Sequence, residues 1–152
     1  FVNSLISLGL DSVIDYGILS GSVGISNEDI SNVTNFGNVP LNLSLSGYGV
    51  TYGDNLSMNC TLGTIKNISI GYERYNLSSS NLGALTPSAF NPGNYTNLTS
   101  SSVTKRFNLN YRQNDTFNEA INGTYWRIYA PKGALGNCTG NIVFGAVQAP
   151  EI

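Results

Sequence analysis

Apolar residues recur at every second position along much of this chain. Leu41, Leu43 and Leu45 alternate with Asn42, Ser44 and Ser46, and Ile68, Ile70 and Tyr72 alternate with Asn67, Ser69 and Gly71. A period of two puts one set of side chains against a core and the other in solvent, so it predicts half-buried strands rather than helices. The same reading predicts strands near 12–19, 23–35, 39–47, 55–61, 65–76, 102–111, 124–130 and 140–149, separated by glycines and by Pro40, Pro131 and Pro150. Asn122-Gly123 predicts a tight hairpin turn between Ile121 and Thr124. Eight or so short strands in one domain point to an all-β fold, a β-sandwich or jelly roll. Residues 77–101, rich in Ser, Asn, Gly and Pro, predict a long loop, and 114–121 a short helix. Trp126, inside Tyr125-Trp126-Arg127-Ile128-Tyr129, reads as a core anchor.

At 152 residues the chain can bury about 70% of its unfolded surface as one domain. Charged residues make up 11%, seven basic and nine acidic, and there is no His. Nothing here offers an electrostatic footprint for nucleic acid, and the commonest general base and metal ligand is missing. No helix-length apolar run marks a membrane span, and no metal or organic cofactor is expected. The acids do not suggest an enzyme either. Glu28 and Asp29 are adjacent, so in a strand they point to opposite faces, and Asp115 and Glu119 fit a solvated helical face.

Neutral hydrogen-bonding groups replace ions at the surface, with 21 Asn and 29 Ser plus Thr. Eleven Asn-x-Ser/Thr sequons begin at Asn32, Asn42, Asn55, Asn59, Asn67, Asn76, Asn94, Asn97, Asn114, Asn122 and Asn137, where chance would produce roughly four. The excess predicts a secreted chain carrying N-linked glycans. Cys60 and Cys138 each occupy the middle of a sequon. If each cysteine faces inward on a strand, its Asn and Thr neighbours face outward, so a bridge and glycans are compatible. Either the two cysteines pair, closing a long loop worth about 4 to 5 kcal/mol in the chain-entropy model, or they are buried free thiols. The first residues lack a basic n-region, so an extracellular chain whose signal peptide has been removed is expected.

The stretch from Phe1 to Leu10 is uncharged, with Val2, Ile6, Leu8 and Leu10 on one face of an extended strand. Chain ends are usually polar and frayed. An apolar end needs its own sheet or a neighbour's groove, and the second option is donor-strand addition. The four side chains could contribute roughly 6 to 12 kcal/mol of gross burial, less the cost of association. Residues 1–12 are therefore read as a donor strand and 13–152 as the sandwich domain. A type IV pilin, which opens on a long apolar helix, is a poor fit to Asp11, Asp15 and the glycines.

Asn32-Val33-Thr34-Asn35-Phe36-Gly37-Asn38-Val39-Pro40-Leu41-Asn42-Leu43-Ser44-Leu45 resembles the strand–turn–strand of secreted archaeal β-domains and of TasA-like biofilm-matrix fibre subunits. The run from Tyr125 to Gly136, with Gly140 to Phe144, is similar to the closing hairpin of such domains. The resemblance covers about a quarter of the chain and points to the archaeal bundling pilins, then to archaeal thread filament subunits. It implies a jelly-roll-like β-sandwich completed by a neighbour's N-terminal strand, a head-to-tail helical homopolymer of identical subunits, and bundling with neighbouring filaments in biofilm. The two cysteines and the dense sequons depart from the bacterial relative. The alternative function is a monomeric or anchored glycosylated surface module, of surface-layer or adhesin type, displaying the loop at 77–101.

Overall fold

The computed structural model describes residues 3–18, 24–78, 95–114 and 120–150. Among them the regular structure is twelve strands and one 3-10 turn: β1 (Leu8–Leu10), β2 (Gly24–Ile25), β3 (Asp29–Asn35), β4 (Leu41–Tyr48), β5 (Leu56–Gly63), β6 (Asn67–Ser69), η1 (Ile70–Tyr72), β7 (Glu73–Asn76), β8 (Thr96–Asn97), β9 (Val103–Leu109), β10 (Ile121–Ala130), β11 (Ala134–Thr139) and β12 (Asn141–Gln148). Every pairing is antiparallel. One sheet runs β1-β3-β10-β7-β8, with β2 pairing the far end of β10, and the other two run β12-β4-β9 and β11-β5-β6. The result is an all-β sandwich.

The alternation of Leu41, Leu43 and Leu45 is realised, with all three at most 1% exposed. Leu43 and Leu45 cluster with Val33, Tyr75 and Trp126 of the large sheet, and Leu98, Phe107 and Leu109 close the cluster. Trp126 is fully buried. Its ring lies against Tyr75 and Phe144 at 5.1 and 5.7 Å, and its indole N–H donates to Thr124 Oγ1 at 2.8 Å. The Thr124 hydroxyl in turn donates to the Ser31 carbonyl, so both polar groups carried into the core are satisfied. A smaller cluster of Cys60, Ile68 and Ile128 lies beside the β11-β5-β6 sheet, and Tyr16 packs against both clusters. Cys60 and Cys138, 78 positions apart, are bridged across the β5–β11 pair. Cys60 is buried and Cys138 half-buried; of their sequon neighbours Thr61, Asn137 and Thr139 are exposed, and Asn59 is half-buried with its side-chain amide donating to Asn67 Oδ1.

Several expected elements differ. Asn122-Gly123 does not turn; both residues lie inside β10, paired with Val33 and Asn32 of β3, because β10 runs straight through as the central strand of the large sheet. The strand expected at 12–19 is absent from its described part, and the first strand is β1. The expected 65–76 strand breaks at η1, while β11 emerges from a glycine-punctuated stretch whose weak alternation hid it. Most of the expected 77–101 loop and residues 115–119 of the expected helix lie outside the described residues. The end of that loop is no protrusion, since Tyr95 and Leu98 are buried and β8 pairs β7.

Trp126→Ala is expected to cost about 3 to 5 kcal/mol, read as a lowered denaturation midpoint at unchanged slope in chemical unfolding.

Candidate assembly surface

The N-terminal segment is laid along the edge of the large sheet. Leu8, Gly9 and Leu10 pair with Asn35, Thr34 and Val33. The main-chain ladder continues outward, with Phe36 N–H donating to the Ser7 carbonyl at 2.9 Å and Asn38 N–H to the Leu5 carbonyl at 3.0 Å. The Asn38 side chain clasps the same segment, accepting from Leu5 N–H at 2.6 Å and donating to the Asn3 carbonyl at 2.8 Å. A Cβ on Gly37 would collide with the Leu5 carbonyl oxygen, so glycine there lets the segment lie this close. At the other end Asp11 accepts from Asn32 N–H at 2.8 Å.

Main chain dominates this grip. Of the expected donor-strand residues, Leu8 packs against the core, whereas Ile6 and Leu10 remain 47% and 45% exposed, and Val2 lies outside the described residues. Leu5 and Val13 are exposed as well.

Beyond Asp11 the grip changes character. Asp29 accepts from Asp15 N–H at 2.8 Å, Ile14 and Tyr16 enter the core, and the Tyr16 hydroxyl donates to Glu73 Oε2 at 2.5 Å. Val13 to Ile18 then border a groove of about 790 Å³ that is also lined by Met58, Ile68, Ile128 and Ala134. A smaller hollow of about 480 Å³ adjoins it, with Glu73, Ser31 and Phe144 in its walls.

Glu73 points to the core side of β7, opposite Ile128, and is 2% exposed. Burial raises its carboxyl from an ordinary 4.5 to about 7, the Tyr16 hydrogen bond offsetting only part of the rise. Burial, and then the neighbouring Glu73 carboxylate, push the Tyr16 phenol well above its usual value. On the opposite face of the sheet Arg127 is buried too. Its Nε donates to the Tyr95 hydroxyl at 2.9 Å and its Nη1 to the Ser26 carbonyl at 3.0 Å, while that hydroxyl donates to Glu28 at 2.6 Å. The loop joining β4 to β5 is fixed by Asp54, whose carboxylate accepts from the backbone N–H groups of Gly49, Val50, Thr51 and Leu56. Those bonds, Val50 first, hold its carboxyl well below the usual range, and the loop presents Val50 and Tyr52 to solvent.

The sequon asparagines divide by exposure. Asn32, Asn55, Asn67, Asn97, Asn114, Asn122 and Asn137 are exposed, Asn42, Asn59 and Asn76 are half-buried, and Asn94 lies outside the described residues. Asn42 is engaged inside the β12-β4-β9 sheet, accepting from the N–H groups of Phe107 and Asn108. Sequence reasoning missed Tyr16, Glu73 and Arg127. An apolar run interrupted by a charged residue at a core-facing position, as Glu73 sits before Tyr75, was the available signal.

Among the described residues no group of three metal-ligating side chains occurs, and no helix is long and apolar enough to cross a membrane. No protein-family model, curated protein or solved structure matches the chain.

The raised Glu73 carboxyl sets a pH dependence. The folded chain keeps a proton that the unfolded chain releases, so this group favours folding fully below pH 4.5 and loses that advantage as pH rises to about 7. The loss amounts to up to about 3 kcal/mol. Glu73→Gln retains an acceptor for Tyr16 and should flatten the stability profile over this interval while raising stability at pH 7, as followed by urea unfolding at several pH values.

Proposed function

We propose that this chain is a structural subunit of an extracellular filament, polymerising head to tail by exchange of its N-terminal strand, with N-glycans on the exposed face. The observation that carries this reading is the way residues 3–10 sit: held on β3 by main-chain bonds, with Leu5, Ile6 and Leu10 left largely in solvent. Main-chain bonding is indifferent to which copy supplies the strand. A neighbour's residues 3–10 can replace the resident ones along β3, remake the same ladder, and leave each subunit both giving and receiving. Such a heterologous contact does not close on itself and builds a filament. The bridged cysteines fit an oxidising compartment, and the charge-poor, sequon-rich surface fits glycans as the solubilising layer. In this reading the lateral bundling of filaments supports adhesion and biofilm formation.

A second reading, a monomeric glycosylated surface module, draws on the fact that β1 pairs with its own β3 and on the braced loop that displays Val50 and Tyr52.

Electron microscopy of the full chain beside a chain lacking residues 1–12, both freed of pre-existing filaments, separates the two. Filaments from the full chain only, with the shortened chain taking up a synthetic peptide of residues 1–12, are expected. Monodisperse single domains in both samples would replace the filament reading by the surface module. Glycan mapping of the secreted protein by mass spectrometry should find sugar at the seven exposed sequons and none at Asn42, whose side chain is occupied inside a sheet.

A further inference from the structure

An exposed strand edge is a template for pairing with another chain, and proteins guard such edges by shortness, bulges or charge. The edges described here are mostly guarded. β8 and β2 have two residues each and β1 and β6 three, and β1 and β6 have Asp11 and Lys66 beside them. β11 pairs β5 through an irregular register. β9 is bulged against β4 and carries Arg106 together with Lys105, which is paired with Leu43.

β12 has none of these devices. It pairs with β4 over eight consecutive residues, Asn141 to Gln148, without a register shift, and contains no charged residue and no proline. Ile142 and Phe144 pack inward on the main cluster, while Val143 and Val147 are 41% and 39% exposed. Among the described residues no strand lies on its outer side.

We infer that the outer edge of β12 is a self-association surface, paired with β12 of a second copy in antiparallel register about Gly145. The sequence of the strand fits itself in that register. Val143 falls opposite Val147 of the second copy, twice by symmetry, on the outward face, and Phe144 falls opposite Ala146 on the inward face, large against small. No charge meets its like. Branched valine side chains pack well on a pleated, half-buried surface, and two-fold self-complementary contacts are the commonest in homo-oligomers. The N-terminal strand is a poorer occupant, because its main-chain groups already have partners on β3. A strip of eight residues, about 27 Å long, is small beside the roughly 1,200–2,000 Å² of a stable interface. The contact is therefore weak and concentration dependent in isolation, and it is multiplied wherever subunits are arrayed. This inference does not rest on the filament reading, since a monomeric surface module would pair by the same edge.

The test uses full chains carrying Val143→Cys or Val147→Cys and a short bifunctional thiol reagent. The native cysteines are bridged and no other thiol exists, so only the introduced groups react. A covalent dimer from the mixture of the two variants, with little from either alone, is expected. No dimer in the mixture, or equal dimer from each variant alone, would overturn the register and the inference with it. Val143→Lys, folded by circular dichroism, should abolish the concentration-dependent rise in mass seen by sedimentation; an unchanged rise counts against the edge. These outcomes are read whether or not filaments form.

Discussion

The double burial of β10 constrains most of the molecule. Consecutive residues of a strand point to opposite faces, and here Trp126 and Arg127 are both withdrawn from water. The tryptophan demands a second layer, which the β12-β4-β9 sheet provides through Leu43, Leu45 and Phe144. The guanidinium demands acceptors, because a buried cation without them costs several kcal/mol. The chain answers by interrupting the neighbouring strand between β2 and β3, where Ser26 lends its carbonyl to Arg127 and its hydroxyl to Ile128 N–H, and by laying Tyr95 over the guanidinium at 5.9 Å. Segments far apart in sequence are thus recruited to one strand, and no local fragment of the sandwich can reproduce that environment.

The N-terminal region is attached to this frame in two unlike ways. Residues 3–10 are held chiefly by main-chain bonds at a sheet edge, whereas residues 11–17 are held by side chains, with Tyr16 reaching into both apolar clusters and onto Glu73. Opening free energies vary along a structure with buried contact and protected hydrogen bonding. The outer stretch places only Leu8 against the core, whereas the inner stretch commits both Ile14 and Tyr16 to it, so the two halves differ in how much buried contact secures them.

Much of this architecture is legible in the amino-acid sequence. Leu41, Leu43 and Leu45 announce β4 because their strand has one wet face, and Trp126 reads as a core anchor because nothing else in the chain is large enough to organise two layers. The buried Cys60 and the exposed Thr61, Asn137 and Thr139 follow from strand parity, whereas Cys138 and Asn59 are only half-buried. Legibility fails where pattern and environment diverge. Asn122-Gly123 has turn chemistry, yet long-range pairing with β3 overrides it. Tyr95 and Leu98 sit in a polar neighbourhood but are claimed by the core. Glu73 and Arg127 are charged residues in strands covered on the face that local alternation assigns to solvent or to lipophilic neighbours. Only the tertiary partners, dozens of positions away, reveal why they are tolerated.

The guarded and unguarded edges bear on how the protein responds to its medium. With charge scarce overall and absent from both the resident N-terminal strand and β12, added salt has few Coulombic contacts to screen at either surface. Apolar contact and main-chain bonding respond to other variables. Apolar burial weakens on cooling and strengthens with excluded solutes such as sulfate, so temperature and excluded solutes, rather than the screening of charge, set how tightly the apolar contacts of these surfaces hold.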